Sequence, residues 1–364
     1  MKNIGIICYP TFGGSGIVAT ELGKQLSNKY FIHFISYKKP VRFDDTNKNI
    51  KYHKVDVPNY PLFEYPPYEL ALTAKIVQIV QEFNLDLLHV HYAIPHAYAA
   101  VNAKKILMEK DIHIPIVTTL HGTDITLVVT NPHLMSAVNY AINKSDIVTT
   151  VSEDLKMKTL DFFNVNHEIQ VIPNFISCQK IEHNFNIETK KRIIHISNFR
   201  PVKRAHDVVK VFQGILSEID SELIMIGDGP DLNSVISLTQ KLNLQDSVRF
   251  LGKSKDIDGF LKYSDLFLLP SETESFGLVA LEAMSFGVPV ISSNMGGVTE
   301  LVIHGFNGYN CMVGDVNMMI SKSLELLRDA NLFTAMSKNA YATAKKYDII
   351  KIVSRYEQLY LNLL

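Results

Sequence analysis

The chain has 364 residues, which at about 150 residues per domain suggests two domains. Its 36 Lys and Arg balance 37 Asp and Glu, leaving a formal net charge of −1, which argues against a nucleic-acid partner bound through bulk positive charge. Hydrophobic residues at 47% and charged residues at 20% exclude a disordered chain and allow a large core.

The opening MKNIGIICYP has an apolar run only over residues 4–9, closed at once by Pro10 and Gly13. That is too short for the apolar segment of a signal peptide and predicts a first buried strand. A helix is expected over 17–28 and a strand over 31–37. Then come a helix over 68–83, a strand over 87–91, a helix over 97–109, and strands over 116–121, 146–151 and 169–172. This alternation predicts a parallel sheet covered on both faces. The polar, aperiodic stretch 173–191 reads as a linker. The pattern then restarts: strand 192–197, helix 205–219, strand 222–226, helix 231–242, strands 248–251 and 265–269, helix 276–286 and strand 288–292. From Val316 onward the chain reads as helical. The expected architecture is two doubly wound halves facing each other across a cleft. No run of about 18 apolar residues occurs, so no membrane span or membrane partner is expected. Cys8, Cys178 and Cys311 are few and far apart, so a reducing cytoplasm is the default location.

Five stretches could carry chemistry. The first is Gly13-Gly14-Ser15-Gly16, where glycines let backbone approach a ligand and a helix N-terminus faces an anion. From Gly14 it also satisfies GxGxxA, but the acid this dinucleotide fingerprint needs is missing after Ser36; Lys39 or Arg42 could serve an NADP reading instead. The second is His89-Val90-His91-Tyr92 with His96. Without a nearby carboxylate or cysteine, the two strand histidines read as hydrogen-bonding groups rather than metal ligands. The third is Thr118-Thr119-Leu120-His121-Gly122-Thr123-Asp124. Here His121 could orient a substrate, and Asp124 reads better as a cap of the next helix. The fourth is Arg200, Lys203 and Arg204 at a strand-to-helix turn, suited to gripping a diphosphate.

The fifth carries most information. Glu274 lies in a loop and Glu282 in a helix with seven residues between, Phe276-Gly277-Leu278 among them. Glu282 is flanked by Leu281, Ala283 and Met284, which read as core, and no Lys or Arg occurs from Ser264 through Asn310. A carboxylate in such surroundings needs hydrogen-bond donors, and a sugar diol supplies two. Amides at Gly277 and Leu278 would face phosphate. Asp256-Ile257-Asp258 reads as a helix start rather than a metal-binding pair.

Together the glycine loop, the Arg200/Lys203 cluster, Gly227-Asp228-Gly229-Pro230 and the spaced Glu274/Glu282 pair resemble the retaining glycosyltransferases of family four, over essentially the whole chain. CYPTFGGSGIVATELG, YPLFEYPPYELAL, HVHYAIPHA, TTLHGTDIT and HISNFRPVKR are similar to one branch of that family. That branch moves N-acetylglucosamine from UDP-N-acetylglucosamine to the hydroxyl of L-malate, the first step of bacillithiol biosynthesis.

The resemblance implies a GT-B fold with an acceptor-binding domain over 1–172 and a linker over 173–191. A donor-binding domain would span 192–346, and a helix over 347–364 would cross back to the first domain. It implies that Glu282 holds the ribose hydroxyls, Glu274 a donor-sugar hydroxyl, and Arg200 and Lys203 the diphosphate. Gly14, Gly252, Phe276, Gly277 and Leu278 would line the donor. Ser15, Tyr92, Thr119 and His121 would line the malate side, with His121, Arg200, Lys203 and Glu274 counted as catalytic. No cofactor and no metal are implied, and a homo-oligomer is left open. Competing readings are a family-four hexosyltransferase acting on a glycan or lipid, an NADP-dependent oxidoreductase, and an inactive nucleotide-sugar sensor.

Overall fold

The computed structural model describes residues 1–11, 13–57, 65–178, 190–254 and 256–364. It contains two compact units, Met1–Asn174 with Ile349–Leu364, and Phe175–Asp348.

In the first unit the described residues form a seven-stranded sheet. Its strands are β1 (Asn3–Ile7), β2 (Phe31–Ser36), β3 (Ile50–Lys54), β4 (Leu87–His91), β5 (Ile116–Leu120), β6 (Ile147–Thr150) and β7 (Ile169–Val171). The order is β3-β2-β1-β4-β5-β6-β7 and every pairing is parallel. Central strands β4 and β5 are buried at every residue, as a sheet covered on both faces requires. The edge strand β3 (IKYHK) is half-exposed; its polar alternation gives no apolar run, and the sequence reading passes over it. The helices Thr123–Val129, Met135–Lys144 and Glu153–Phe162 also lie outside that reading. The helix Gly14–Leu26 begins three residues earlier than its apolar periodicity suggests, so Gly14, Ser15 and Gly16 form its first turn.

The second unit carries a six-stranded sheet of β8 (Lys191–Ile196), β9 (Ser221–Ile226), β10 (Val248–Phe250), β11 (Leu266–Leu269), β12 (Val290–Ser293) and β13 (Gly308–Cys311). Its order, β10-β9-β8-β11-β12-β13, is the 3-2-1-4-5-6 order of a dinucleotide fold. All described pairings are parallel. Phe199, Phe212, Val208, Leu223, Met225 and Leu268 fill one buried cluster between sheet and helices. Residues 179–189 of the expected linker lie outside the described residues. Ile176 bridges to Asp348 and its amide donates to the Tyr347 carbonyl (3.1 Å), so residues 175–178 belong to this unit.

The helix Ile349–Leu361 is part of the first unit. Tyr356 and Tyr360 are fully buried there. Lys29 Nζ donates to Glu357 (2.9 Å), and Arg355 Nη2 donates to the Val171 carbonyl (2.6 Å).

Candidate active site

In doubly wound sheets, ligands meet the carboxyl ends of the strands where the strand order reverses. In the second unit that point lies between β8 and β11. The loops leaving these strands, 197–204 and 270–277, hold most of the donor residues expected from the sequence.

The first loop is fixed from two sides. His195 Nδ1 donates to the Leu268 carbonyl (2.9 Å), Ser197 Oγ donates to His195 Nε2 (2.8 Å), and the Phe199 amide donates to Ser197 Oγ (3.2 Å). Burial pushes His195 down to about 4, so it stays neutral and keeps one hydrogen-bonding pattern. From the other side, loop 227–229 lies flat against it. A Cβ on Gly227 (φ +130°) would fall 1.7 Å from the Ser197 carbonyl oxygen, and one on Gly229 1.8 Å from that of Asn198. Only glycine permits this approach. Gly252, at φ +64°, accepts the Gly227 amide (2.8 Å), so its carbonyl is already engaged.

The cations on the loop differ in their commitments. Arg204 is spent on Asp207, with Nε and Nη2 at 2.7 and 2.6 Å from Oδ2, and on Glu272 (3.2 Å). Lys203 Nζ lies 2.6 Å from Glu274 Oε1, which also accepts from Ser271 Oγ (2.9 Å). The guanidinium of half-buried Arg200 makes no ion pair or hydrogen bond among the described residues. Of the two arginines, Arg200 is therefore the one available to an anion.

Glu274 is the enclosed carboxylate of the spaced pair, whereas Glu282 is half-buried. This corrects the expectation of a core site for Glu282. In the helix Leu278–Ser285, Ala280, Leu281, Ala283 and Met284 are buried, while Leu278, Val279 and Glu282 share the more open face. Phe276 is buried edge-on to Tyr347 (5.6 Å between centroids), so its side chain anchors the loop and only its backbone is left to meet a donor. Gly277 adopts φ +90°, and the amides of the helical turn it opens have no partner within the helix. Gly296 and Gly297, which the sequence reading does not single out, pack against the backbone of Glu274. The Gly297 amide donates to the Glu274 carbonyl (2.7 Å), and a Cβ on Gly296 would meet that carbonyl at 2.3 Å.

In the first unit the reversal lies between β1 and β4. Ser15 Oγ donates to Tyr92 Oη (3.1 Å), and Thr123 Oγ1, a residue given no role by the sequence reading, lies 3.4 Å from the same oxygen. The Tyr92 ring is 5.2 Å from that of His121. Ser15, Tyr92 and His121 thus come together, from the ends of three elements. Tyr92 holds φ +84°, a costly conformation for a tyrosine, and the loop behind it is anchored by Asp124. Asp124 accepts from the amides of Ala93 (2.9 Å), Gly122 (2.9 Å) and His121 (3.2 Å). It therefore staples two strand-exit loops rather than capping the helix Thr123–Val129.

Thr119 departs from its expected role. It is fully buried, with Oγ1 2.8 Å from His89 Nε2 and 2.7 Å from Thr149 Oγ1, so it braces the site from behind and does not line it. His89 Nδ1 in turn meets Tyr360 Oη (2.6 Å), which ties the site to the helix Ile349–Leu361. His91 Nδ1 lies 2.8 Å from His121 Nε2, and His96 Nδ1 donates to the His91 carbonyl (2.7 Å). The strand histidines are hydrogen-bonding groups. Asp256 Oδ1 accepts the Gly259 amide (3.0 Å) at the start of the helix Asp258–Leu261. Among the described residues no group of three or more His, Cys, Asp or Glu is placed to hold a metal, and no helix is long and apolar enough to cross a membrane.

Residues 12–180 match the model of Glycosyltransferase Family 4, and residues 179–343 that of glycosyl transferases group 1. The chain is 45% identical to N-acetyl-alpha-D-glucosaminyl L-malate synthase of Bacillus anthracis, over 99% of this chain and 97% of that one. The chain belongs to glycosyltransferase family 4.

Membership in family 4 removes the oxidoreductase reading of the GxGxxA turn. A Cβ on Gly16 would lie 2.5 Å from the Thr11 carbonyl oxygen, which accounts for that glycine by packing alone. Alpha-monoglucosyldiacylglycerol synthase of Streptococcus pneumoniae is 26% identical, over 75% of this chain and 65% of that one. The fold of this family-4 glycosyltransferase is similar to that of Anabaena HepE in complex with UDP, with a TM-score of 0.81, 19% identity and full coverage of both chains. Two parallel-sheet Rossmann-like domains make it a GT-B glycosyltransferase.

Proposed function

We propose that this enzyme transfers N-acetylglucosamine from UDP-N-acetylglucosamine to the hydroxyl of L-malate with retention at the anomeric carbon. The observation that carries the donor side is Arg200, a half-buried guanidinium with no anionic partner among the described residues, beside the Lys203–Glu274 pair at the strand reversal. The acceptor identity rests on the 45% identity to N-acetyl-alpha-D-glucosaminyl L-malate synthase of Bacillus anthracis.

In this reading Arg200 grips the diphosphate by its planar fork and Lys203 by its point charge, with amides at Gly277, Leu278 and Gly14 adding dipoles. Glu282 takes the ribose hydroxyls from the open face of its helix, and Glu274 a hydroxyl of the sugar. Ser15, Tyr92 and His121 receive malate. The malate oxygen attacks the anomeric carbon on the face from which UDP departs. The bond to the β-phosphate oxygen breaks, and a donor phosphate oxygen takes the malate proton. The protein's contribution is to position both partners and to offset the charge that grows on the leaving diphosphate. A trapped covalent glycosyl-enzyme would overturn this route.

The direct test is UDP release from UDP-N-acetylglucosamine with malate, glucose, inositol phosphate or no acceptor. Release accelerated by malate alone supports the proposal, and equal rates with all four sink the acceptor assignment. Because cationic side chains and amides meet the diphosphate, a chelator is expected to leave the rate unchanged; complete loss with rescue by a divalent ion would contradict that role. Gly229→Ala is expected to weaken UDP binding at least tenfold in titration calorimetry, since the added Cβ would force residues 197–204 to move. Unchanged affinity would take the 197–204 loop out of the donor site.

A further inference from the structure

We propose that His91 is a positioning residue that fixes the tautomer of His121, holding its proton on Nδ1. This rests on the reading of His121 as an acceptor-binding group and specifies how that group acts.

The two rings stack with centroids 5.1 Å apart at 26°, and His91 Nδ1 faces His121 Nε2 at 2.8 Å. One nitrogen must carry the proton and the other a lone pair. Both rings are buried, which opposes a second proton on either. The other end of His91 decides between the arrangements. Its Nε2 is buried and has no hydrogen-bond partner among the described residues. If His91 accepted at Nδ1, its own proton would sit on Nε2 as an orphaned N–H, which folded interiors rarely tolerate. If His91 donates from Nδ1, Nε2 is left with a bare lone pair, the milder defect. His96 makes the same choice, donating from Nδ1 to the His91 carbonyl and leaving Nε2 bare.

His121 must then accept at Nε2 and keep its proton on Nδ1, the less favoured form of a free imidazole in water. With Nε2 engaged and Nδ1 protonated, the ring cannot act as a general base. It offers one neutral N–H donor, suited to a carboxylate or hydroxyl oxygen of the acceptor. Of the four clustered histidines it is also the one with any exposure, at 8% against 0% for His89, His91 and His96.

The test uses enzyme labelled with 15N-histidine and long-range proton–nitrogen spectra at neutral pH without substrate, the His121 signal being assigned with a His121→Asn variant. The expected pattern for His121 is Nδ1–H with an unprotonated, hydrogen-bonded Nε2; an Nε2–H pattern overturns the proposal. His91→Leu is expected to move His121 toward the Nε2–H form and to raise the KM for malate about tenfold while leaving the KM for the sugar nucleotide within twofold. His91→Asn, whose amide can donate from the position of Nδ1, is expected to restore most of the loss. A leucine variant that keeps both tautomer and malate KM also overturns the proposal. If that variant does not fold, the wild-type spectrum still decides. If malate is not the acceptor, the spectrum is unaffected and only the malate measurements fail.

Discussion

Replacing Lys203 by alanine is expected to lower turnover by about 10²–10³-fold, the effect of removing a donor aimed at charge that develops in the transition state. The same change removes the partner of an enclosed carboxylate, because Lys203 Nζ lies 2.6 Å from Glu274 Oε1. Breaking a largely buried pair from one side costs about 3–5 kcal/mol, so a drop in rate alone would not separate lost catalysis from lost stability. A double variant does so. Lys203→Ala with Glu274→Gln leaves no orphaned charge, and the amide oxygen that replaces the carboxylate can still accept from Ser271 Oγ. Stability should return toward wild type in denaturant unfolding while turnover, measured as initial rate at saturating donor, stays well below that of Glu274→Gln alone. Recovery of turnover along with stability would mean that Lys203 serves the loop and not the leaving group.

Mild acid is expected to destabilise the first unit well before the second. Burial pushes His89 and His121 down to about 3 and His96 to about 4, and holds His91 well below the ordinary value of 6.5. Above pH 6.5 these imidazoles are neutral whether folded or unfolded, and their contribution is fully present. As pH falls below 6.5 the unfolded chain takes up protons that the folded chain refuses, so stability is lost until the pH reaches 3–4. At pH 5.5 each of the four costs about 1 kcal/mol, together comparable to the whole stability of a marginal domain. Buried His33 and half-buried His53, both lowered to about 4, add to the loss in the first unit. Among the described residues of the second unit only His195 is lowered in this way. Hydrogen exchange at pH 7.5 and 5.5, corrected for intrinsic rates, should show protection falling first in β4, β5 and the helix Ile349–Leu361. Equal losses in both units would refute the account.

The sequence made the fold legible because parallel strands buried on both faces leave continuous apolar runs, as at residues 87–91 and 266–269. It did not reveal β3, where an edge strand carries Lys51 and Lys54, nor the short β13. The donor loops were legible through composition, since glycines and cations stand out at strand ends. Their pairings were not. Lys203 meets Glu274 across 71 positions and His91 meets His121 across 30, and only the sheet order brings such residues together. Glu282 shows the opposite failure. Its neighbours along the chain are core residues, but helical geometry turns them to another face.

The first unit is assembled from two distant stretches of the chain. Tyr360, whose hydroxyl meets His89, follows an entire second unit in the order of synthesis. On the ribosome, residues 1–174 must therefore wait with the bed for Tyr356 and Tyr360 uncovered, while residues 175–348 emerge as an unbroken piece that can close first. The half made earliest is thus the one completed last, and a nascent chain stalled before residue 349 would expose an apolar surface for chaperones to cover.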